Sequence, residues 1–124
     1  MQSVNLQEYL LHRKQCEKLL NEPEVRFAGF LDSMGNLIAG GFREGVTPLN
    51  DESERRKLHI DNVLRLKTQE DFDYDLGSIE FTSSRRKKVI TFSFKINGNV
   101  LFVSTQPNVE IDKTAKKILQ ICNI

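Results

Sequence analysis

Two histidines, two cysteines and the adjacent pair Ser83-Ser84 are the side chains of this sequence best suited to nucleophilic or acid–base chemistry. His12 and His59 both fall in segments with helical periodicity. His12 projects away from the apolar stripe of its segment and is expected to be solvated. His59 lies between Val63 and Leu66 on the helical wheel and is expected to cover a packed surface rather than act as a base. A Cys–His nucleophile requires an exposed thiol in electropositive surroundings, whereas Cys16 and Cys122 sit among helical leucines and isoleucines. Ser83 and Ser84 have no base beside them. These types at these spacings predict no catalytic residues, no cofactor and no enzyme activity.

The string Asp71-Phe72-Asp73-Tyr74-Asp75-Leu76-Gly77 begins like a calcium loop. Such a loop needs Gly at its sixth position and Glu at its twelfth, and here those positions hold Leu76 and Thr82. No metal site is expected; the acids alternating with Phe72 and Tyr74 predict an extended linker that buries its aromatics on one side. Arg85, Arg86, Lys87 and Lys88 form the densest positive charge and are a candidate anion or nucleic-acid patch. Aromatics for stacking on single strands and a recognition helix are both absent beside them, so a solvated hairpin tip is the expected role. GNLIAGG matches neither the P-loop nor the dinucleotide spacing.

The surrounding chain is ordinary for a globular protein. Its 124 residues, 39% hydrophobic and 28% charged, predict one domain over residues 1–124 with a core that needs no disulfide,. A net charge of +1 supplies no global attraction to nucleic acid or membrane,. No run reaches the ~18 apolar residues of a membrane span, and the first residues lack the apolar region of a signal peptide. The expected location is the cytoplasm. There Cys16 and Cys122 are expected as buried, reduced thiols, with a disulfide between the terminal helices as the alternative.

Leu6, Tyr9, Leu10, Cys16 and Leu20 predict an amphipathic helix over about residues 5–21, capped by Asn5 and ended by Pro23. VRFAGFL (25–31) and LIAGGF (37–42) predict a hairpin turned by Asp32-Ser33-Met34-Gly35-Asn36. Both parities of that hairpin are apolar, so its sheet is expected to be covered on both faces. Gly29, Gly40 and Gly41 predict a shallow patch approached by a helix, or alternatively by a ligand. A second helix runs from a cap at Asn50 or Asp51 to about Thr68. Strands are expected at 78–84, 88–96 and 100–105, the last two joined by Asn97-Gly98-Asn99. A final helix begins between Asn108 and Asp112, with Ile111, Ala115, Ile118, Leu119 and Cys122 inward. The order α-β-β-α-β-β-β-α gives an α+β fold: a five-stranded, mostly antiparallel sheet with helices on both faces.

This order, covering residues 5–122, resembles the roadblock fold, a relative of the profilin and longin folds. RFAGFLDSMGNLIAGGF, DESERRK, DFDYDLG, SSRRKKV and DKTAKKIL are similar to segments of a family of small archaeal proteins with no established activity. PAS-like sensors also use five antiparallel strands, but follow the first two with several short helices where this sequence has one long one. The roadblock resemblance implies a non-catalytic dimer that holds or regulates a small GTPase, with the second helix and third strand at its two-fold interface.

The residues point to the same surface. Leu66, His59, Val63, Ile60 and Leu64 span an arc of about 160° on the second helix, wider than a coiled-coil seam. The middle of the arc suits the sheet. Its rims, His59 with Leu66 and Ile60 with Leu64, are expected to meet a partner helix. Leu58 faces the otherwise polar side, and the strand bearing Ile79 and Phe81 alternates as an edge strand does. Two other functions remain open: a small-ligand sensor of PAS or profilin type, and a nucleic-acid-associated protein using the basic hairpin.

Overall fold

The computed structural model describes residues 5–124. α1 (Leu6–Leu20) is capped by Asn5, whose side-chain oxygen accepts the Glu8 amide N–H at 2.8 Å. β1 (Val25–Leu31) and β2 (Leu37–Phe42) follow as the expected hairpin. Asp32 Oδ1 accepts the amide N–H groups of Met34 and Asn36 in its turn, and Gly35 supplies a φ of +82°. α2 (Glu52–Gln69) starts at Asp51, whose Oδ1 accepts the Glu54 N–H at 2.8 Å. A 3-10 turn (Glu70–Phe72) and the four-residue α3 (Asp73–Leu76) continue it. The chain then forms β3 (Thr82–Arg85), β4 (Ile90–Ile96), β5 (Asn99–Thr105) and α4 (Ile111–Ile121). Left-handed Asn97 and Gly98, φ +50° and +82°, turn β4 into β5,.

The five strands make one sheet in the order β2-β1-β5-β4-β3, every neighbouring pair antiparallel. The fold is α+β with helices on both faces, as expected. α1 and α4 cover one face, where Phe30, Phe92, Phe94, Leu101 and Val103 meet Cys16, Leu19, Ala115, Ile118 and Cys122. α2 covers the other, where Val63 and Leu66 meet Phe27, Leu31, Val100 and Phe102. Each fully buried phenylalanine contributes about 1.5–3 kcal/mol through the apolar surface removed from water.

Local elements differ from expectation in four places. α1 does not bury a stripe through Leu6, Tyr9 and Leu10: its buried residues are His12, Gln15, Cys16 and Leu19, and Leu6 and Leu10 are 71% and 51% exposed. At 100° per residue Leu10 stands about 160° from His12, so burying one face necessarily exposes the other. His12 is therefore not solvated. It stacks on Phe30 at 3.7 Å between ring centroids, and its Nδ1 lies 3.2 Å from Gln15 Oε1. The acidic string is helical rather than extended, and Tyr74 is 99% exposed. Finally, β3 begins at Thr82 rather than at residue 78, and β4 at Ile90 rather than at residue 88.

Of the glycines in β1 and β2, Gly40 serves helix packing, whereas a Cβ on Gly29 would meet Leu37 and Phe27 of the sheet itself. Gly40 sits at φ +93°, and a Cβ there would lie 2.1 Å from the Ala28 carbonyl oxygen and 2.9 Å from Cys16 Sγ. α1 thus reaches the sheet at Gly40, where no other residue fits. Gly41 has open space around it and carries no such constraint. Gly40→Ala is expected to cost about 1–3 kcal/mol, while Gly41→Ala stays within about 0.5 kcal/mol of wild type. Urea denaturation of the two variants checks this, and equal losses contradict it.

Cys16 and Cys122 are free thiols at 1% and 3% exposure in one cluster. Burial is the main reason that Cys16 is pushed up to about 12 and Cys122 to about 11. The unfolded chain therefore loses these protons first as pH rises above ~8.5, and stability falls on the alkaline side. A thiol reagent at about pH 8 is expected to leave both cysteines unmodified in the native chain and to titrate both after denaturation. Rapid native labelling of either refutes the assignment.

Candidate protein-interaction surface

α2 and β3 run side by side in opposite directions at one edge of the sheet. The early residues Glu54, Lys57, Leu58 and Asp61 line a groove with the β3–β4 hairpin tip, Arg86, Lys87 and Lys88. The later residues Asn62, Leu64, Arg65 and Thr68 line a second groove with Thr82, Ser83 and Ser84. Each α2 residue is placed by the helix crossing the sheet over Phe27 and Phe102, and Asn62 fixes the crossing by accepting the Ser93 hydroxyl at 3.1 Å. β3 pairs with β4 on one side only, so its outer backbone groups can accept another strand.

The expected interface residues divide along this surface. Leu64 is 55% exposed and opens to the second groove. Leu58 and Ile79 are partly buried against the α2-side cluster, and Phe81 is partly buried against Phe92 and Phe94 on the opposite face. Neither expected rim is open along its length. His59, Val63 and Leu66 are buried beneath the helix, and Ile60 is pressed against the β1–β2 turn, where a Cβ on Gly35 would lie 2.9 Å from its Cα. The helix rotates farther onto the sheet than the apolar arc requires because His59 fits between Phe27 and Phe102, 5.5 and 5.4 Å away between ring centroids.

Arg85, Arg86, Lys87 and Lys88 are exposed and, among the described residues, make no ion pair. Arg85 donates to the Pro107 carbonyl oxygen at 3.4 Å. Arg86 N–H donates to Val89 O at 2.9 Å, which closes the tip tightly around Lys87 and Lys88.

The ligand alternative meets a small cavity. Between α2 and the sheet lies a space of about 70 Å³ lined by Phe27, Phe42, Leu58, His59, Arg26 and Arg55. Small-molecule sites begin at about 300 Å³, and none of the three strand glycines lines this one. Arg55 roofs it, its guanidinium carbon 5.3 Å from the Phe42 ring centroid. Sequence reasoning placed no residue in this cavity, because it arises where the loop bearing Leu49 and Asn50 folds back towards Phe42.

No group of three or more His, Cys, Asp or Glu among the described residues is placed to hold a metal ion. No helix among them is long and apolar enough to cross a membrane.

Burial, and then the charge of Arg55, hold His59 below the ordinary imidazole value. Folding therefore favours neutral His59. As pH falls below ~6.5 the unfolded chain takes up a proton that the folded chain resists, and stability is lost. His59→Gln is expected to narrow the difference in Tm between about pH 7 and about pH 5; an unchanged difference places the acid-sensitive group elsewhere.

Comparison of the whole fold finds close architectural likenesses. MglB of Myxococcus xanthus superposes with a TM-score of 0.72 at 11% identity, covering 98% of this chain and 90% of that one. A Roadblock/LC7 domain from Streptomyces avermitilis gives 0.66 at 10% identity, covering 90% and 91%. An MglB with a tetrameric arrangement gives 0.66 at 10% identity, covering 99% and 93%. At these identities the likeness establishes a roadblock-like fold. Among curated proteins no relative of the sequence is found. A family model matches residues 1–123, and the chain belongs to that family, DUF6659, a family of unknown function.

Proposed function

We propose that this chain is a single roadblock-like domain acting as a non-catalytic, dimeric interaction module in the cytoplasm, with a small GTPase as its partner class. The observation that carries the reading is the pairing of Leu64, open to solvent on α2, with the one-sided edge of β3 along the same groove. Two copies related by a two-fold axis there would cover Leu64 and satisfy the β3 backbone together. A stable version buries about 1,200–2,000 Å² in total. The likeness to MglB and to a Roadblock/LC7 domain supports a regulatory rather than catalytic role, and the GTPase follows from what the roadblock resemblance implies.

Among the expected interface residues, Leu64 is the one suited to a test. Leu66 is buried against the chain's own sheet, so a charge there disturbs the fold and not merely an interface. Light scattering on a sizing column is expected to give twice the 14.3 kDa chain mass. Leu64→Glu is expected to halve that mass while circular dichroism still reports a folded chain. A monomer at all micromolar concentrations contradicts the reading. A dimer indifferent to Leu64→Glu moves the interface elsewhere. The partner class is tested by measuring nucleotide-dependent binding of small GTPases from the same organism to wild type and to Leu64→Glu.

A further inference from the structure

Two unusual surfaces lie at opposite ends of α2. At its C-terminal end, the turn through residues 71–76 carries Asp71, Asp73 and Asp75 interleaved with Phe72, Tyr74 and Leu76, which are 47%, 99% and 79% exposed. Tyr74 and Leu76, this open, have little packing role in their own chain, and none of the three aspartates makes an ion pair among the described residues. At its N-terminal end lies the groove of about 780 Å³ between α2 and the β3–β4 tip. Leu49, Leu58 and Val89 supply its apolar lining, and Arg86, Lys87 and Lys88 its charge. Of its two acids, Asp61 is already held by Arg65 at 3.0 Å, so the groove is positive on balance.

We propose that the acidic aromatic turn of one chain docks into the basic groove of a second copy, Tyr74 entering between Leu49, Leu58 and Val89 while the aspartates meet Arg86, Lys87 and Lys88. One chain does not close this contact on itself. α2 has 18 residues and holds the two surfaces about 27 Å apart. β3 returns alongside α2 towards the basic tip, so the tip lies beside the start of α2 while the acidic turn follows its end. A two-fold axis that sets the two α2 helices antiparallel brings each acidic turn to the other chain's groove, giving the clamp twice. The inference rests on the dimer proposed above and adds to it the contact that fixes orientation and excludes like-charged arrangements.

A charge swap tests the clamp in the full-length chain. Reversing the groove (Arg86→Glu, Lys87→Glu, Lys88→Glu) places negative charge on both surfaces. Reversing the turn (Asp71→Lys, Asp73→Lys, Asp75→Lys) places positive charge on both. Each variant alone is expected to lose about tenfold or more in self-association by sedimentation equilibrium. An equimolar mixture of the two is expected to associate as well as wild type, because both clamps are then complementary. Tyr74→Ala, at a side chain that touches nothing in its own chain, is expected to weaken association with Tm unchanged. Self-association untouched by either reversal and by Tyr74→Ala, yet broken by Leu64→Glu, overturns the clamp and leaves the dimer reading standing. The swap pattern with no response to Leu64→Glu supports the clamp and removes the α2–β3 seam. A wild-type chain that stays monomeric removes both.

Discussion

Burial of β5 on both faces is the constraint from which the rest of the molecule follows. All seven residues from Asn99 to Thr105 are buried, so the strand needs β1 and β4 to satisfy its backbone and a helical layer above and below to cover its side chains. Leu101 and Val103 look towards α1 and α4, and Val100 and Phe102 look towards α2. Remove either layer and a strand of the sheet centre faces water. The two layers differ in how they are held. On one side α1 descends onto a strand made locally bare by Gly40; on the other α2 is steered by an aromatic pair that grips His59.

Where polar groups enter the α1 layer, they are satisfied as a set. Gln15 Nε2 donates to the Cys122 carbonyl oxygen at 2.9 Å, which leaves its Oε1 facing His12 Nδ1. His12 Nε2 lies 3.3 Å from Asn99 Nδ2 and 3.5 Å from Glu8 Oε1. The network joins α1, α4 and the start of β5, and no buried side-chain nitrogen or oxygen among the described residues is left without a partner. Such a network adds direction to a layer whose apolar contacts alone are non-directional. It fixes which face of α1 turns inward at the expense of Leu6 and Leu10, which stay in water.

The α2 side is built less completely. The helix covers β1 and β5, but beside it β3 is a four-residue strand paired once, and the grooves on either side of Leu58 and Leu64 remain open. A molecule with one sealed face and one unfinished edge is suited to completion by another chain. Two charged segments flank that edge, the acidic turn at residues 71–75 after the end of α2 and the basic tip at residues 86–88 beside its start. Such separation favours antiparallel over parallel association of like chains.

The sequence alone determined everything that depends on a few neighbouring residues. Asn5 and Asp51 cap helices because a side-chain oxygen reaches an amide three residues on, and Asp32-to-Asn36 and Asn97-Gly98 turn because their residues adopt the needed φ. The order of elements, and with it the α+β class, followed from those stops and starts. Tertiary structure decided which side of each helix is inside. The arc of α1 through Leu6, Tyr9 and Leu10 is the more apolar by residue type, yet Phe30 and Asn99, distant in sequence, chose the one bearing His12 and Gln15. The arc of α2 was broad enough to rotate, and the Phe27–Phe102 cleft and the turn at Gly35 rotated it until Leu64 was the part of the arc left well exposed. The acidic string obeyed the continuing helix before it rather than its own alternation, because helical propagation extends an existing turn more readily than a new strand starts without a neighbour.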